Sequence, residues 1–224
     1  MTASPVDARD LMVMDDNVIV GYTPSRPTAD GLVIGYGARL RSGTIVYAGS
    51  VIGAGLQTGH NVTIREESTI GDDVSIWTNT VIDYGCRIGD RVKIHSNCYI
   101  AQFTVIEDDA FLAPGVTLAN DLYPGYESSA DVMAGPYIEA GAQIGVNTTI
   151  LPYVRIGAGA IVGAGSVVTK DVPAGAVAYG SPAIVSGDRD QLGDVDRRVR
   201  GRAASSRRWE PSVAELTDAQ FARG

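Results

Sequence analysis

Two histidines are the side chains of this sequence best suited to moving a proton near neutral pH. His60 and His95 are the only histidines in the chain, and imidazole titrates closer to neutrality than any other side chain. Each histidine is a candidate general base, and each could instead be a hydrogen-bonded surface residue on a turn. We expect no metal site, because a catalytic zinc needs three protein ligands and these two histidines are not closely spaced.

Cys86 and Cys98 are the only cysteines. Two cysteines cannot build a disulfide framework or, by themselves, a structural zinc site. Both fall on positions of the sequence pattern that carry small residues. We therefore expect them to be buried packing residues in a reducing compartment.

Composition and charge exclude several classes of protein. The chain has 224 residues, a net charge of −8 and 45% hydrophobic residues, which is typical of a protein with a real core. Nucleic acids and anionic membranes are not expected partners, because binding phosphate requires clustered cations. The acidic start, residues 1–16, does not look like a signal peptide, and no stretch is long and apolar enough to span a membrane, so we expect a cytoplasmic protein.

A period of six residues dominates the sequence. Every sixth residue from Ile34 to Leu118 is aliphatic except Thr58, and the same register returns at residues 138–168. Glycine, aspartate and asparagine are common between these positions, so each hexad predicts a short strand and a tight turn. Such units must stack on one another to bury an apolar face. An α-helix or a coiled coil is excluded, because neither returns an aliphatic residue every six positions.

This pattern resembles the hexapeptide-repeat acyltransferases over roughly residues 12–186. Three strings carry the resemblance: QTGHNVTIREE (57–67), IHSNCYIAQFTVIEDDAFLAPGVTLANDLYP (94–124) and GAGSVVTKDVPAGAVAYGSPA (163–183). The resemblance implies an all-β fold, a left-handed parallel β-helix with three hexads, or 18 residues, in each coil. It also implies acetyl-CoA as co-substrate and a homotrimer with active sites between adjacent solenoids. The strings look closest to the branch that N-acetylates nucleotide-linked amino deoxy sugars.

Three segments depart from the repeat, and the first, residues 22–31, is short and polar and is interpreted as an edge loop. Residues 120–136 form an insertion within the β-helix domain, 12–186, and a loop of this length indicates a function. Residues 187–224 are a C-terminal tail, in which Ser212 and Glu215 have the spacing of a capping box and allow a short helix.

Residues 18 apart should stack one above another at about 4.8 Å, the spacing of neighbouring strands. One predicted column contains Glu66, Tyr84, Gln102 and Asn120, then Pro152 and Lys170. We assign Glu66, Tyr84 and Gln102, with His60, to substrate binding. Lys170, Gly145 and Gly163 are assigned to the cofactor, because a lysine can pair with its phosphates.

Asn120 and His95 are the predicted centre of the active site. His95 should lie about 1.4 coils, or roughly 7 Å, from the level of Asn120, against roughly 16 Å for His60. Both histidines belong to a different face from Asn120, so they can meet it only across an interface between subunits. Asn120 would orient the thioester or the amine.

The identity of the proton acceptor stays open. His95, Asp121 or the departing thiolate could take the proton from the amine. Many oxygen-acylating relatives carry a histidine in the inserted loop, where this chain has Asn120 and Asp121. This difference argues against a mechanism that uses a loop histidine. The favoured acceptor is the amino group of a nucleotide-linked amino deoxy sugar, and the alternatives are an amino acid, a natural-product amine or hydroxyl, or a non-catalytic binding module.

Overall fold

The computed structural model describes residues 12–28 and 31–193. Most of its strands contain two residues, as a hexad of strand and turn predicts. In chain order the strands are β1 (Val13–Met14), β2 (Ile19–Tyr22), β3 (Val33–Ile34), β4 (Arg39–Leu40), β5 (Ile45–Tyr47), β6 (Val51–Ile52), β7 (Gln57–Thr58), β8 (Thr63–Ile64), β9 (Thr69–Ile70), β10 (Ser75–Ile76), β11 (Val81–Ile82), β12 (Arg87–Ile88), β13 (Lys93–Ile94), β14 (Tyr99–Ile100), β15 (Val105–Ile106), β16 (Phe111–Leu112), β17 (Thr117–Leu118), β18 (Tyr137–Ile138), β19 (Gln143–Ile144), β20 (Thr149–Ile150), β21 (Arg155–Ile156), β22 (Ile161–Val162), β23 (Val167–Val168), β24 (Ala176–Gly180) and β25 (Ala183–Asp188).

From β1 to β23 every third strand pairs in parallel, which divides these strands among three sheets. Sheet 1 runs β1, β4, β7, β10, β13, β16, β19, β22, β24 and β25; sheet 2 runs β2, β5, β8, β11, β14, β17, β20 and β23; sheet 3 runs β3, β6, β9, β12, β15, β18 and β21. Paired residues are 18 apart in the regular part, as Ile76 and Ile94 are. The fold is the left-handed parallel β-helix that the resemblance to the hexapeptide-repeat acyltransferases implies.

The aliphatic residue of each hexad forms the core. It occupies the second strand position and points inward, and Leu40, Ile64, Ile94 and Leu118 are each 0% exposed. The corners between sheets are filled by smaller inward residues. Cys86 and Cys98 are among these and are buried and free, so their predicted burial is confirmed.

Each corner turns through a residue of positive φ that recurs every six positions. Glycine and asparagine supply most of these sites, because they tolerate the left-handed region best. Gly37, Gly43, Gly49 and Gly55 are followed by Asn61 at φ 55° and by Asn79 at φ 59°. The polar residues between the aliphatic positions are therefore turn residues.

The insertion leaves the solenoid at the corner between sheets 2 and 3. Residues 119–136 connect β17 to β18 and contain a short 3-10 helix, Ser129–Val132. The last coil is covered by the antiparallel pair of β24 and β25, followed by a 3-10 helix at Arg189–Leu192. The predicted tail helix near Ser212 lies outside the described residues. Within the described residues, 12–28 and 31–193, the helical segments are too short and too polar to cross a bilayer.

Candidate active site

The predicted polar column follows the strands of sheet 2. Each of its members comes two residues after the inward aliphatic residue of a strand, so all of them lie at the corner between sheets 2 and 3. In order along the solenoid they are Glu66 after β8, Tyr84 after β11, Gln102 after β14, Asn120 after β17, Pro152 after β20 and Lys170 after β23. The corner therefore carries polar side chains up to the base of the inserted loop.

Hydrogen bonds connect the upper part of this column to a buried carboxylate. Asn120 Nδ2 donates to Gln102 Oε1 at 2.6 Å, and Gln102 Nε2 donates to Asp83 Oδ2 at 2.7 Å. Asp83 is 6% exposed. Asn120 is thus the last member of a relay that begins inside the protein.

Asp83 accepts hydrogen bonds on both of its oxygens. Tyr99 Oη donates to Oδ2 at 2.9 Å, and Oδ1 receives Arg65 Nη1 at 3.1 Å and the Tyr84 backbone N–H at 2.8 Å. Burial and the hydrogen bond to Asp83 raise the pKa of Tyr99 to about 12. The tyrosine therefore keeps its proton and remains a donor throughout the neutral range.

A second carboxylate, Glu66, lies one coil below and is 0% exposed. Arg65 donates to it from Nε at 3.1 Å and from Nη2 at 2.8 Å. Burial lowers the pKa of the Arg65 guanidinium, but Glu66 and Asp83 raise it by more, so the net change is upward. Arg65 therefore forms ion pairs with both buried carboxylates.

The loop between β2 and β3 supplies another cation to this corner. Arg26 Nε lies 2.9 Å from Glu66 Oε1, and the same guanidinium pairs with Glu67. Arg26 also lies over the ring of Tyr84, 3.7 Å from its centroid. The ring and the carboxylates together fix this loop against the column.

His95 lies on sheet 1, directly after β13. Its ring centroid is 4.9 Å from that of Phe111 and 5.6 Å from that of Trp77, so aromatic residues of the neighbouring coils enclose the imidazole on two sides. His60 is exposed after β7, on the same sheet. The two histidines therefore lie on a different sheet from Asn120 within one chain, in agreement with the predicted faces.

Asp121 and the inserted loop close over the end of the relay. Asp121 Oδ1 accepts a hydrogen bond from the Tyr123 backbone N–H at 2.8 Å, which starts the loop with a tight turn. Where the loop returns, Met133 Sδ lies 3.3 Å from Asn120 Nδ2, and the Ala134 N–H donates to the Asn120 carbonyl at 3.0 Å. The loop therefore holds Asn120 from both its ends.

The residues assigned to the cofactor lie farther along the solenoid. Lys170 is exposed after β23, while Gly145 and Gly163 follow β19 and β22 on sheet 1. A Cβ on Gly145 would lie 2.5 Å from the Ala164 backbone nitrogen, and one on Gly163 would lie 2.7 Å from Tyr179 Cβ. Close packing of successive coils therefore accounts for both glycines without any ligand.

Sequence reasoning missed Asp83, Arg65 and Arg26. A signal for the first two existed, because Arg65 and Asp83 are 18 residues apart and opposite charges in one column can pair. Arg26 is the one cation among residues 22–31, but nothing in the sequence indicates which column that loop contacts. In the described part of the chain, no group of three or more His, Cys, Asp or Glu side chains is arranged to hold a metal ion.

Comparison with known proteins identifies the repeat. Residues 85–120 and 135–170 match the family described as bacterial transferase hexapeptide (six repeats), and the gap between the two matches coincides with the inserted loop. The chain is similar to this hexapeptide-repeat family over these two segments. A solved structure of a proposed acetyltransferase from Bacillus cereus is similar to it at 26% identity and a TM-score of 0.51, covering 79% of this chain and 92% of that one.

Other similarities cover less or show the fold alone. The bifunctional protein GlmU of Rubrobacter xylanophilus is 44% identical over 99 residues, which are 42% of this chain and 19% of that protein. A 2,3,4,5-tetrahydropyridine-2,6-dicarboxylate N-acetyltransferase of Staphylococcus aureus is 48% identical over 62 residues, 28% of this chain and 26% of that protein. The chain thus matches about a fifth to a quarter of these relatives. A UDP-N-acetylglucosamine acyltransferase of Campylobacter jejuni shares the fold, with a TM-score of 0.53 over 93% of this chain and 90% of that one, at 16% identity.

Proposed function

We propose that this protein is an acetyl-CoA-dependent N-acetyltransferase whose acceptor is the amino group of a nucleotide-linked amino deoxy sugar. The observation that supports this most directly is the relay from Asp83 through Gln102 to Asn120, which ends at the base of the inserted loop. The similarities to an N-acetyltransferase and to a proposed acetyltransferase support the reaction type. The three sequence strings that resemble the amino-sugar branch support the acceptor.

The reaction requires alignment of the amine with the thioester more than it requires activation of the amine. The neutral amine nitrogen attacks the thioester carbonyl, an N–C bond forms, and the C–S bond breaks when the tetrahedral intermediate collapses. The products are an amide and the CoA thiolate, and the proton that the amine nitrogen loses ends on that thiolate, directly or through a base, to give the thiol. Holding the two reactants at attacking distance supplies a large part of the rate, and backbone N–H groups at the corners suit the oxyanion.

His95 is the proposed proton acceptor, reaching the acceptor amine from the neighbouring subunit of a homotrimer. The aromatic rings of Trp77 and Phe111 would hold its imidazole in a fixed position. Asp121 is a weaker candidate, because its Oδ1 already accepts the Tyr123 N–H. The departing thiolate is the third candidate.

Acetyl-CoA is proposed to lie along the solenoid with its thioester near Asn120. Lys170 follows β23, two strands beyond β17 in sheet 2, which corresponds to about 10 Å along the axis. Its side chain is exposed, so its ammonium group can reach a phosphate. His60, Glu66 and Tyr84 stay proposals for the acceptor side, although Glu66 acts through Arg26 and Arg65 because it is fully buried.

The decisive experiment follows release of the CoA thiol from acetyl-CoA with a panel of acceptors. The panel contains nucleotide-linked amino sugars, the same sugars without the amine, free amino acids and an amino dicarboxylate. We expect thiol release with amino sugars and none with the deaminated sugars. Preference for the dicarboxylate would instead favour an acceptor like that of the Staphylococcus aureus relative, and no release with any amine would refute the proposed activity.

The same assay separates the candidates for the proton acceptor. If His95 takes the proton, His95→Asn lowers kcat by roughly 10²- to 10⁴-fold and removes the acidic limb of the pH profile. If the thiolate takes it, the loss is under about tenfold and the limb persists. His60→Asn is the comparison, since it removes the other histidine of the same sheet: as a substrate-binding residue His60 should change the KM for the acceptor and leave the acidic limb of kcat in place.

A further inference from the structure

The relay that ends at Asn120 has a direction. We infer that Asp83 and Gln102 are positioning residues that turn the Asn120 side-chain carbonyl, and not its NH2 group, toward the acceptor amine. This inference rests on the proposed function for its chemistry, but its structural basis is independent of that function. It decides which reactant Asn120 can orient.

The direction starts at Asp83, because an ionised carboxylate can accept hydrogen bonds but cannot donate one. The group of Gln102 that lies 2.7 Å from Asp83 Oδ2 must therefore be its NH2. The Gln102 carbonyl then necessarily faces the other way. The two ends of a side-chain amide have the same shape, and their hydrogen-bond partners distinguish them.

The same argument determines the orientation of the Asn120 side-chain amide. Gln102 Oε1 faces Asn120 at 2.6 Å, so the group of Asn120 at that contact must be a donor, its Nδ2. The same nitrogen lies 3.3 Å from Met133 Sδ, a weak acceptor. Both N–H bonds of Asn120 thus have partners, whereas Asn120 Oδ1 accepts no hydrogen bond from the residues that the structure describes.

The chemical consequence concerns the nucleophile. A free Oδ1 can accept an N–H of the acceptor amine and leave the nitrogen lone pair pointing at the thioester carbonyl. An NH2 group in its place would donate to that lone pair and block the attack. Asn120 therefore orients the amine, and it has no spare donor for the oxyanion, which must be stabilised by backbone N–H groups instead.

The inference can be tested by reversing the relay. Oδ1 of Asp83 receives two obligate donors, Arg65 and the Tyr84 N–H, so in Asp83→Asn the new carbonyl oxygen must stay on that side. Its NH2 group then faces Gln102 and Tyr99, whose hydroxyl can accept as well as donate. Gln102 must turn its carbonyl toward position 83, and Asn120 must turn its NH2 toward the amine.

The two single variants should both be defective, for opposite reasons. Asp83→Asn should lower kcat at least about tenfold and leave the KM for acetyl-CoA unchanged, because the amine meets a donor. Asn120→Asp should also lose activity and stability, because its carboxylate meets the Gln102 carbonyl oxygen. If Asp83 had only a structural role, the effects of Asp83→Asn and Asn120→Asp on activity and stability would be independent of each other.

The double variant Asp83→Asn with Asn120→Asp restores a donor and an acceptor at both side-chain hydrogen bonds of the relay, although the weak contact with Met133 Sδ is lost. Position 83 then donates to Gln102, and Gln102 donates to the carboxylate introduced at position 120, whose second oxygen again faces the amine. We expect kcat about tenfold or more above either single variant, and a urea midpoint above that of Asn120→Asp alone. Asp73→Asn, which removes an exposed carboxylate from the turn before β10, is the control and should behave as the wild type.

Urea unfolding of the wild type, the two single variants and the double variant tests the relay even if the protein acetylates no amine. No coupling between the two substitutions in the urea midpoint would overturn the relay, whereas coupling without any thiol release would refute only the proposed function. If Asp83→Asn does not fold, Gln102→Leu replaces it. In that background the Gln102 carbonyl is gone, so adding Asn120→Asp should cause no further loss of stability, and a further loss would contradict the inference.

Discussion

At the scale of single residues, Cys86 shows how the corners of the solenoid are satisfied. Its Sγ lies 3.2 Å from the carbonyl oxygen of Ala101, fifteen residues ahead. Ser50 and Ser68 occupy the same corner in earlier coils, and their hydroxyls donate to the carbonyls of residues 65 and 83 at 2.9 and 3.1 Å. The corner therefore accepts a hydroxyl and a thiol in the same geometry.

Replacing Cys86 by serine should consequently cost little stability, under about 1 kcal/mol, and leave kcat of the folded protein unchanged. The pH dependence should change more. Burial raises the pKa of the Cys86 thiol from 9.0 to about 12, so the folded state holds its proton more tightly than the unfolded chain. This contribution is complete below about pH 9 and is lost as the pH rises toward about 12.

Urea unfolding of the wild type and of Cys86→Ser at about pH 7 and about pH 10 measures this effect. We expect the wild type to lose more stability than the variant at the higher pH. Cys98→Ser is the comparison, because burial raises the pKa of that thiol as well. A selective fall in kcat for either variant would contradict a packing role.

The residue scale also shows what the sequence could and could not reveal about the site. The stacking of Glu66, Gln102 and Asn120 follows from their spacing of 18 residues or a multiple of it. The burial of Asp83 did not follow, because a polar residue directly after a strand resembles any turn residue until its partners are known. Three of its four donors are side chains from other coils, and a period of six does not specify such hydrogen bonds.

At the scale of the element, asparagines at the same turn position of successive coils form a ladder of side-chain hydrogen bonds. Asn61 Nδ2 donates to Asn79 Oδ1 at 3.2 Å, and Asn79 Nδ2 donates to Asn97 Oδ1 at 3.3 Å. All three asparagines have positive φ, between 55° and 60°. Their side chains and their backbone conformation therefore contribute separately to the turn.

Two substitutions at Asn79 separate these contributions. Asn79→Gly keeps the left-handed backbone and removes two exposed hydrogen bonds, which should cost under about 1 kcal/mol of unfolding free energy. Asn79→Ala removes the same bonds and adds the strain of an alanine at positive φ, about 1 kcal/mol more. Urea denaturation of the two variants gives the difference, and equal midpoints would show that this turn adapts its backbone without cost.

The regular elements could be predicted and the irregular ones could not. Each hexad repeats one strand and one turn, so the position of a residue in the hexad determines which way it points. The inserted loop has no such repeat, and its contacts through Met133 and Ala134 depend on a path that no period specifies. The contact of Arg26 with Tyr84 is of the same kind.

At the scale of the whole molecule, the candidate site is divided between two surfaces of the solenoid. His95 follows β13 in sheet 1, while Asn120 follows β17 in sheet 2, at the corner between sheets 2 and 3. Trp77, beside His95, is 44% exposed, and Tyr99, beside the relay, is 37% exposed. Large aromatic side chains at both half-sites favour burial against a second copy of the chain.

The final prediction is that these half-sites meet between subunits of a homotrimer. Light scattering at micromolar concentration should give three times the chain mass, and a monomer would refute the arrangement. His95→Asn and Asn120→Ala should each be inactive alone. In a closed ring every site takes His95 from one chain and Asn120 from the next.

Mixing the two variants by unfolding and refolding them together should therefore restore activity. A site is intact when the chain that supplies His95 carries Asn120→Ala and the chain that supplies Asn120 carries His95→Asn. In an equal mixture each of these two conditions is met about half the time, so about a quarter of the sites recover. Refolding each variant alone gives the baseline, and tagged chains establish that mixed trimers have formed. Mixed trimers without activity would mean that His95 and Asn120 do not act at one site, whereas activity near a quarter of the wild-type value per site requires that two chains complete it.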